Sequence, residues 1–241
     1  MFDFKYVLRG LGMIFSPGLK RYVIIPMLIS AVIFVLSGWI GYMQYEVFIN
    51  SMLPADGGFL IDLLRWILMP LFFLAFLLLV FYGYTIVANL IGAPFNSKLA
   101  EAVAKKLDSN VTLPESDPFL KDVSKSIFSE IRKLSYYLLR AIPLLIMMLI
   151  PVIGPIATII WIIFSAWFLA VEYTAYPLEN QKLLFKEQRQ VLGKKRFSAI
   201  SFGGGVTLLL LIPVINLAAM PAAVIGATIY WHEKLKNQQS A

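Results

Sequence analysis

The chain has 241 residues, 59% of them hydrophobic and 15% charged, with a mean hydropathy of +0.78; this excludes an ordinary soluble domain and describes an integral membrane protein. There are no cysteines and one histidine, His232, so disulfides, thiolate metal sites, cysteine nucleophiles, histidine triads and multi-histidine metal sites are all excluded. The net charge of +7 comes from loops, which reads as membrane topology rather than nucleic-acid binding.

Residues 2–15 set Phe4, Val7, Leu8, Leu11, Ile14 and Phe15 at helical spacing, with Asp3, Lys5 and Arg9 elsewhere. This predicts an amphipathic helix lying on a membrane surface. With Asp3 present and no small-residue cleavage site, the segment does not read as a signal peptide. The next six residues, Ser16-Pro17-Gly18-Leu19-Lys20-Arg21, read as a helix start: Ser16 suits the N-cap and Pro17 the first helical position. The N–H groups of Gly18, Leu19 and Lys20 would then be unpaired, and Gly18 has no side chain to obstruct a ligand. With the cations Lys20 and Arg21 beside them, these groups describe an anion site. The plainer reading is that Lys20 and Arg21 anchor the helix end at the lipid headgroups.

Residues 22–45 carry no charge and form a first span, with Pro26 near its start and Trp39, Tyr42 and Tyr45 marking the far interface. A turn at Pro54-Ala55-Asp56-Gly57-Gly58 leads to a second uncharged span over residues 66–91. Asn89 and Asn96 flank its end, and two asparagines there either border a polar cavity or cap the helix locally. Residues 95–140 then read as two amphipathic helices at the membrane surface. The first carries Phe95, Leu99, Val103 and Leu107 on one face. The second begins at Asp117-Pro118 and carries Phe119, Val123, Ile127, Ile131, Leu134 and Leu138.

Two further apolar stretches, 141–171 and 197–231, each contain Leu-Ile-Pro-Val-Ile, beginning at Leu149 and Leu211. Each break leaves pieces of about 8–16 residues, shorter than the roughly 17–25 that cross a bilayer, which predicts two proline-broken, partly penetrating helical hairpins. Backbone freed at the breaks must lie in protein or beside water, so Gly154 and Asn216 are candidate path-lining residues. If both hairpins return to the side they came from, every Lys and Arg except Arg65 falls on one face. The positive-inside rule then places both termini in the cytoplasm. The expected fold is an all-α integral membrane protein: a single membrane domain over 1–241 with two long transmembrane helices, two re-entrant hairpins and amphipathic surface helices.

Four segments, in order, resemble the CysZ sulfate permease family. They are Leu8-Arg9-Gly10 with Ser16 to Arg21 and Ile25-Pro26; Ala93-Pro94-Phe95-Asn96 with Leu99-Ala100-Glu101; Glu172-Tyr173 with Tyr176 to Asn180; and Ile212-Pro213 with Pro221-Ala222-Ala223 and Ala227-Thr228. The resemblance spans nearly the whole chain. It implies a multi-pass protein of the bacterial inner membrane that admits sulfate for cysteine synthesis, and it implies a homo-oligomer. The family's Gly-Leu-Arg motif, associated with sulfate, here reads Gly18-Leu19-Lys20 followed by Arg21. Lysine keeps the charge but lacks the planar fork of arginine. The sulfate-binding set is therefore Ser16, Gly18, Leu19, Lys20 and Arg21.

Gly203-Gly204-Gly205 is followed by Val206-Thr207 and lacks the lysine of a nucleotide-binding loop, which argues against direct ATP drive; the glycines read as a flexible turn. Channel-like conduction and symport with protons both stay open; Glu101 and Glu172 are the candidates for proton coupling, and their plainer reading is as interfacial carboxylates. No catalytic cluster, cofactor site or metal-ligand spacing is present, which argues against an enzyme acting on lipids. A membrane-shaping or assembly protein without transport activity is the alternative, with the amphipathic helices as its working parts.

Overall fold

The computed structural model describes residues 3–53, 58–109, 111 and 119–236, and among these there is no strand. The helices are α1 (Lys5–Met13), α2 (Lys20–Met52), α3 (Gly58–Leu107), α4 (Phe119–Met148), α5 (Gly154–Glu179), α6 (Phe185–Gly193), α7 (Arg196–Leu210) and α8 (Pro213–Tyr230), followed by a π-helical turn at Trp231–Leu235. The chain divides into two units, Tyr22–Phe95 and the combination of Met1–Arg21 with Asn96–Ala241.

The smaller unit holds the apolar lengths of α2 and α3. Lys20–Gln44 and Gly58–Leu78 are each long and apolar enough to cross a membrane. Within this unit the Phe76 ring sits against Gly41 so closely that a Cβ there would overlap it. Phe72 continues the contact, 4.8 Å from Phe48 and 6.2 Å from Phe76 between ring centres. Leu28, Val35, Trp39, Phe59, Trp66 and Phe73 are exposed, an apolar surface that a bilayer would cover.

The expected separation of a span ending at 91 from a helix beginning near 95 does not occur. α3 is one helix of 50 residues and runs through Pro70 and Pro94. Each proline removes one helical hydrogen bond, and the neighbouring turns on both sides still hold the helix together.

The larger unit is built on close helix crossings. α1 lies across α8 with Gly10 against the Ala222 carbonyl and Gly226 against the Tyr6 carbonyl; a Cβ at either position would come within 2.1 or 2.6 Å of that oxygen. α7 crosses α5 in the same way, with Gly203 over the Ala166 carbonyl. Only glycine allows backbones this near. The triple glycine is thus not a flexible turn. All three residues lie inside α7, with Gly203 against α5 and Gly205 against Phe4.

α1 is therefore docked on protein along one face, with Tyr6, Val7, Gly10 and Ile14 buried, while Phe4, Leu8 and Phe15 remain exposed. Ion pairs fasten it to the chain's end: Arg9 to Glu233 at 2.8 Å and Asp3 to Lys234 at 2.6 Å. Burial and the nearby Glu233 carboxylate push the Tyr6 phenol up from its ordinary range. Beneath α1, Tyr230 stacks on Phe202 with ring centres 5.3 Å apart.

The two breaks carrying the repeated pentapeptide fall between helices. Leu149–Ile153 joins α4 to α5, and Leu211–Ile212 joins α7 to α8. Ile212 is extended, as a residue before proline prefers, and Pro213 opens α8. α5 continues beyond the apolar stretch to Glu179, so its 26 residues are long and apolar enough to cross a membrane. The expected short piece is found at α7, which has 15 residues.

Candidate functional site

The segment between α1 and α2 is held at both ends by apolar side chains. Ile14 and Leu19 are both 2% exposed, and the residues between them form a turn that protrudes from these anchors. Ser16 N–H donates to the Met13 carbonyl at 3.0 Å. Gly18 adopts φ +87°, a left-handed conformation open to glycine and strained for almost every other residue.

This geometry corrects the expected helix start. α2 begins at Lys20, so Ser16 is not its N-cap and Pro17 is not its first residue. The Leu19 and Lys20 N–H groups donate to the Ser16 carbonyl at 3.0 and 3.4 Å. They are turned into the loop rather than offered to a ligand. The cause is the burial of both Ile14 and Leu19: the chain must reverse between them, and Gly18 supplies the reversal. Leu19 is a core residue and offers no side-chain donor. What the turn presents outward is the half-exposed Ser16, the exposed Gly18, and the exposed side chains of Lys20 and Arg21. Two cations and a hydroxyl beside a bare glycine can still hold an oxyanion through charge-assisted bonds.

A second polar group lies inside the larger unit. Asn96 is 5% exposed, and its amide nitrogen lies 3.4 Å from the Tyr176 hydroxyl and 3.2 Å from the Met220 sulfur. One residue on, the Ser97 hydroxyl donates to the Asn180 side-chain oxygen at 2.8 Å, and the Asn180 amide donates back to the Ser97 carbonyl at 2.9 Å. Lys133, 8% exposed, pairs with Glu172 at 2.9 Å. The buried Gln188 donates to the Leu183 carbonyl at 2.9 Å. Buried polar groups in a membrane protein are costly unless satisfied, and these satisfy one another.

The other sequence candidates lie apart from this group. Glu101 pairs with Lys105 at 2.5 Å along one face of α3. Gly154 is buried at the first residue of α5, where a Cβ would come 2.8 Å from the Met148 carbonyl. Asn216 is exposed in the first turn of α8. Asn89 lies within α3, and its side chain is outside the described residues.

Lys133 escaped the sequence reading because α4 reads as an ordinary amphipathic helix. Its apolar residues Ile131, Leu134 and Leu138 are exposed, and the buried residue is the lysine between them. A helix whose apolar face meets lipid turns its polar face inward, the reverse of the soluble pattern. Glu172 was legible, but its partner was not.

The pairwise meeting of distant segments links the recognised motifs. Ala93–Asn96 and Tyr176–Asn180 meet through Asn96–Tyr176 and Ser97–Asn180, and the segment before Pro221 reaches Asn96 through Met220. Gly10 meets Ala222. The family model described as sulfate transporter CysZ/etoposide-induced protein 2.4 matches residues 6–221. The chain is similar to the sulfate transporter CysZ of Pseudomonas fluorescens (strain Pf0-1), at 38% identity over 229 residues, covering 94% of this chain and 91% of that protein. The protein of the same name from Pseudomonas aeruginosa (strain LESB58) is 38% identical over 232 residues, covering 94% and 93%. That of Pectobacterium atrosepticum is 38% identical over 238 residues, covering 96% and 85%.

Proposed function

The chain belongs to the sulfate transporter CysZ family, and we propose that it carries sulfate across the bacterial inner membrane for assimilation into cysteine. The observation that carries this is the family match along almost the full length of the chain, together with the placement of cations at the Gly18 turn. It is a transport protein and not an enzyme.

Sulfate is a dianion at neutral pH, and removing its water is costly. In this reading Lys20, Arg21 and the Ser16 hydroxyl replace part of that hydration around the Gly18 turn. The backbone contribution is smaller than a free helix end would give, since two of the three expected N–H groups serve Ser16. Passage then follows the polar groups of Asn96, Tyr176 and Asn180, where α3 meets α5 in the larger unit. Transport is channel-like. Both carboxylates considered for proton coupling are held in ion pairs, Glu172 with Lys133 and Glu101 with Lys105. The termini face the cytoplasm, and the exposed apolar surfaces of α2 and α3 are shared between lipid and further copies of the chain.

The test is radiolabelled sulfate uptake into sealed vesicles containing the purified protein, with and without a proton gradient. Uptake down a sulfate gradient is expected at the same initial rate in both cases. Uptake that requires the proton gradient would replace channel-like passage with coupled transport, and no protein-dependent uptake would remove transport itself.

A further inference from the structure

Between α4 and the α6–α7 segment lies an open cleft of about 1050 Å³ with an unusual lining. Arg132, Arg140, Lys186, Arg189, Lys194 and Arg196 all face it, and among the described residues no Asp or Glu does. Of these six, Arg132, Arg140, Lys186, Arg189 and Arg196 pair with no carboxylate among the described residues. Two of them converge on one ring. The guanidinium carbon of Arg140 lies 3.8 Å, and that of Arg189 4.4 Å, from the centre of Tyr136. The ring is fixed by the Trp167 indole, whose N–H donates to the Tyr136 hydroxyl at 3.0 Å. Cation–π contact steadies each guanidinium; one Arg140 nitrogen donates to the Tyr136 carbonyl at 3.1 Å, and each fork has further N–H groups to offer a ligand. Like charges gathered in a cleft with no carboxylate in its described lining are stabilised by an anion from outside.

The cleft is also backed by hydrocarbon. It adjoins a recess of about 410 Å³ lined by Ile160, Ile163, Phe164 and Ile200, and Leu139 is exposed at its rim. A free oxyanion needs donors on every side and gains nothing from such a wall. A phosphate joined to acyl chains matches both halves: its oxygens accept from the arginines and its chains cover the isoleucines. Tyr136 and Trp167 are the residue types that favour the boundary between headgroup and hydrocarbon.

We propose that this cleft is a binding site for an anionic phospholipid, with the lipid phosphate held between Arg140 and Arg189 and an acyl chain lying along Ile160 and Ile163. It is separate from the Gly18 turn and does not depend on the transport reading. The site would tie the α4–α5 pair to α6 and α7 through a lipid, and would make the protein's stability depend on membrane composition.

The full-length protein in neutral detergent is titrated with phosphatidylglycerol, phosphatidylcholine, inorganic sulfate or inorganic phosphate while thermal stability is followed. Phosphatidylglycerol is expected to stabilise the protein saturably, and phosphatidylcholine is not. Neither inorganic ion is expected to reproduce or displace the effect at millimolar concentration. Arg140→Gln/Arg189→Gln should weaken phosphatidylglycerol binding by roughly tenfold or more, as loss of charge-assisted bonds requires. Lys98→Gln/Lys106→Gln, the same loss of charge at exposed positions on α3, should change it less than about twofold. If the double arginine variant fails to fold, Arg189→Lys keeps the charge and loses the fork, and should weaken binding by about two- to fivefold. Equal binding of phosphatidylcholine, displacement by sulfate or phosphate, equal loss in the α3 control, or unchanged binding in the arginine variants would each overturn the proposal.

Discussion

At Gly18 a single dihedral angle changes what a substitution means. A Cβ placed there would meet nothing within 4 Å, so a side chain would not crowd the loop itself. The φ of +87° would instead strain any L residue, by about 1–2 kcal/mol for most and less for asparagine, which visits this region more readily. Gly18→Val should therefore lower thermal stability and sulfate affinity together, while Gly18→Asn should keep most of both. Equal losses in the two variants, measured by melting and by sulfate binding, would point to crowding of the anion instead. The sequence identified the residues of this turn but not its conformation. Ser16 followed by Pro17 is a sound local signal for a helix start, and it was overridden by the burial of Ile14 and Leu19 five residues apart. Asn96 was legible only as an amide that needs a partner, bordering a polar cavity or capping the helix locally. Its partners, Tyr176 and Met220, lie 80 and 124 residues away and no local pattern announces them.

Helix ends were easier to read than helix contacts. The repeated Leu-Ile-Pro-Val-Ile marks a break twice because proline cannot continue the preceding helix and readily begins the next. Pro94 carries the same local signal, yet α3 passes through it with its neighbouring turns intact. Glycine was the larger omission. In Gly203-Gly204-Gly205 composition alone suggests a loop, whereas in α7 the three residues have three different surroundings. This gives an internally controlled experiment. Gly203→Ala would put its Cβ 1.7 Å from the Ala166 carbonyl, forcing α5 and α7 apart at a cost of about 1–3 kcal/mol. Gly204→Ala meets nothing within 4 Å and should be neutral or stabilising by up to about 1 kcal/mol, since alanine favours helix over glycine. Thermal melts in detergent should separate the two variants in opposite directions. Similar melting temperatures would mean that the crossing tolerates a methyl group.

Across the whole chain, composition alone was enough to identify a membrane protein and hydropathy enough to find α2 and α3, because lipid selects apolar length directly. The distribution of Lys and Arg predicts sidedness. Since there are no native cysteines, Ser51→Cys and Gln190→Cys can each be probed alone with an impermeant thiol reagent added outside intact cells. Position 51 should label and position 190 should not; the reverse, or equal labelling of both, would contradict a cytoplasmic placement of the arginine-bearing helices. Ser16, Lys20 and Arg21 were legible from residue chemistry as a candidate anion site, whereas the polar interior of Asn96, Lys133, Glu172 and Asn180 required tertiary structure. The most direct measurement is sulfate flux through the Lys20→Ala/Arg21→Ala variant in sealed vesicles, beside its thermal stability and membrane insertion. Each lost charge-assisted bond should weaken sulfate binding by roughly 10- to 100-fold, so flux at low sulfate should fall at least tenfold while the protein remains folded and inserted. Wild-type flux and sulfate affinity in that variant would show that the two cations only anchor α2 at the membrane surface.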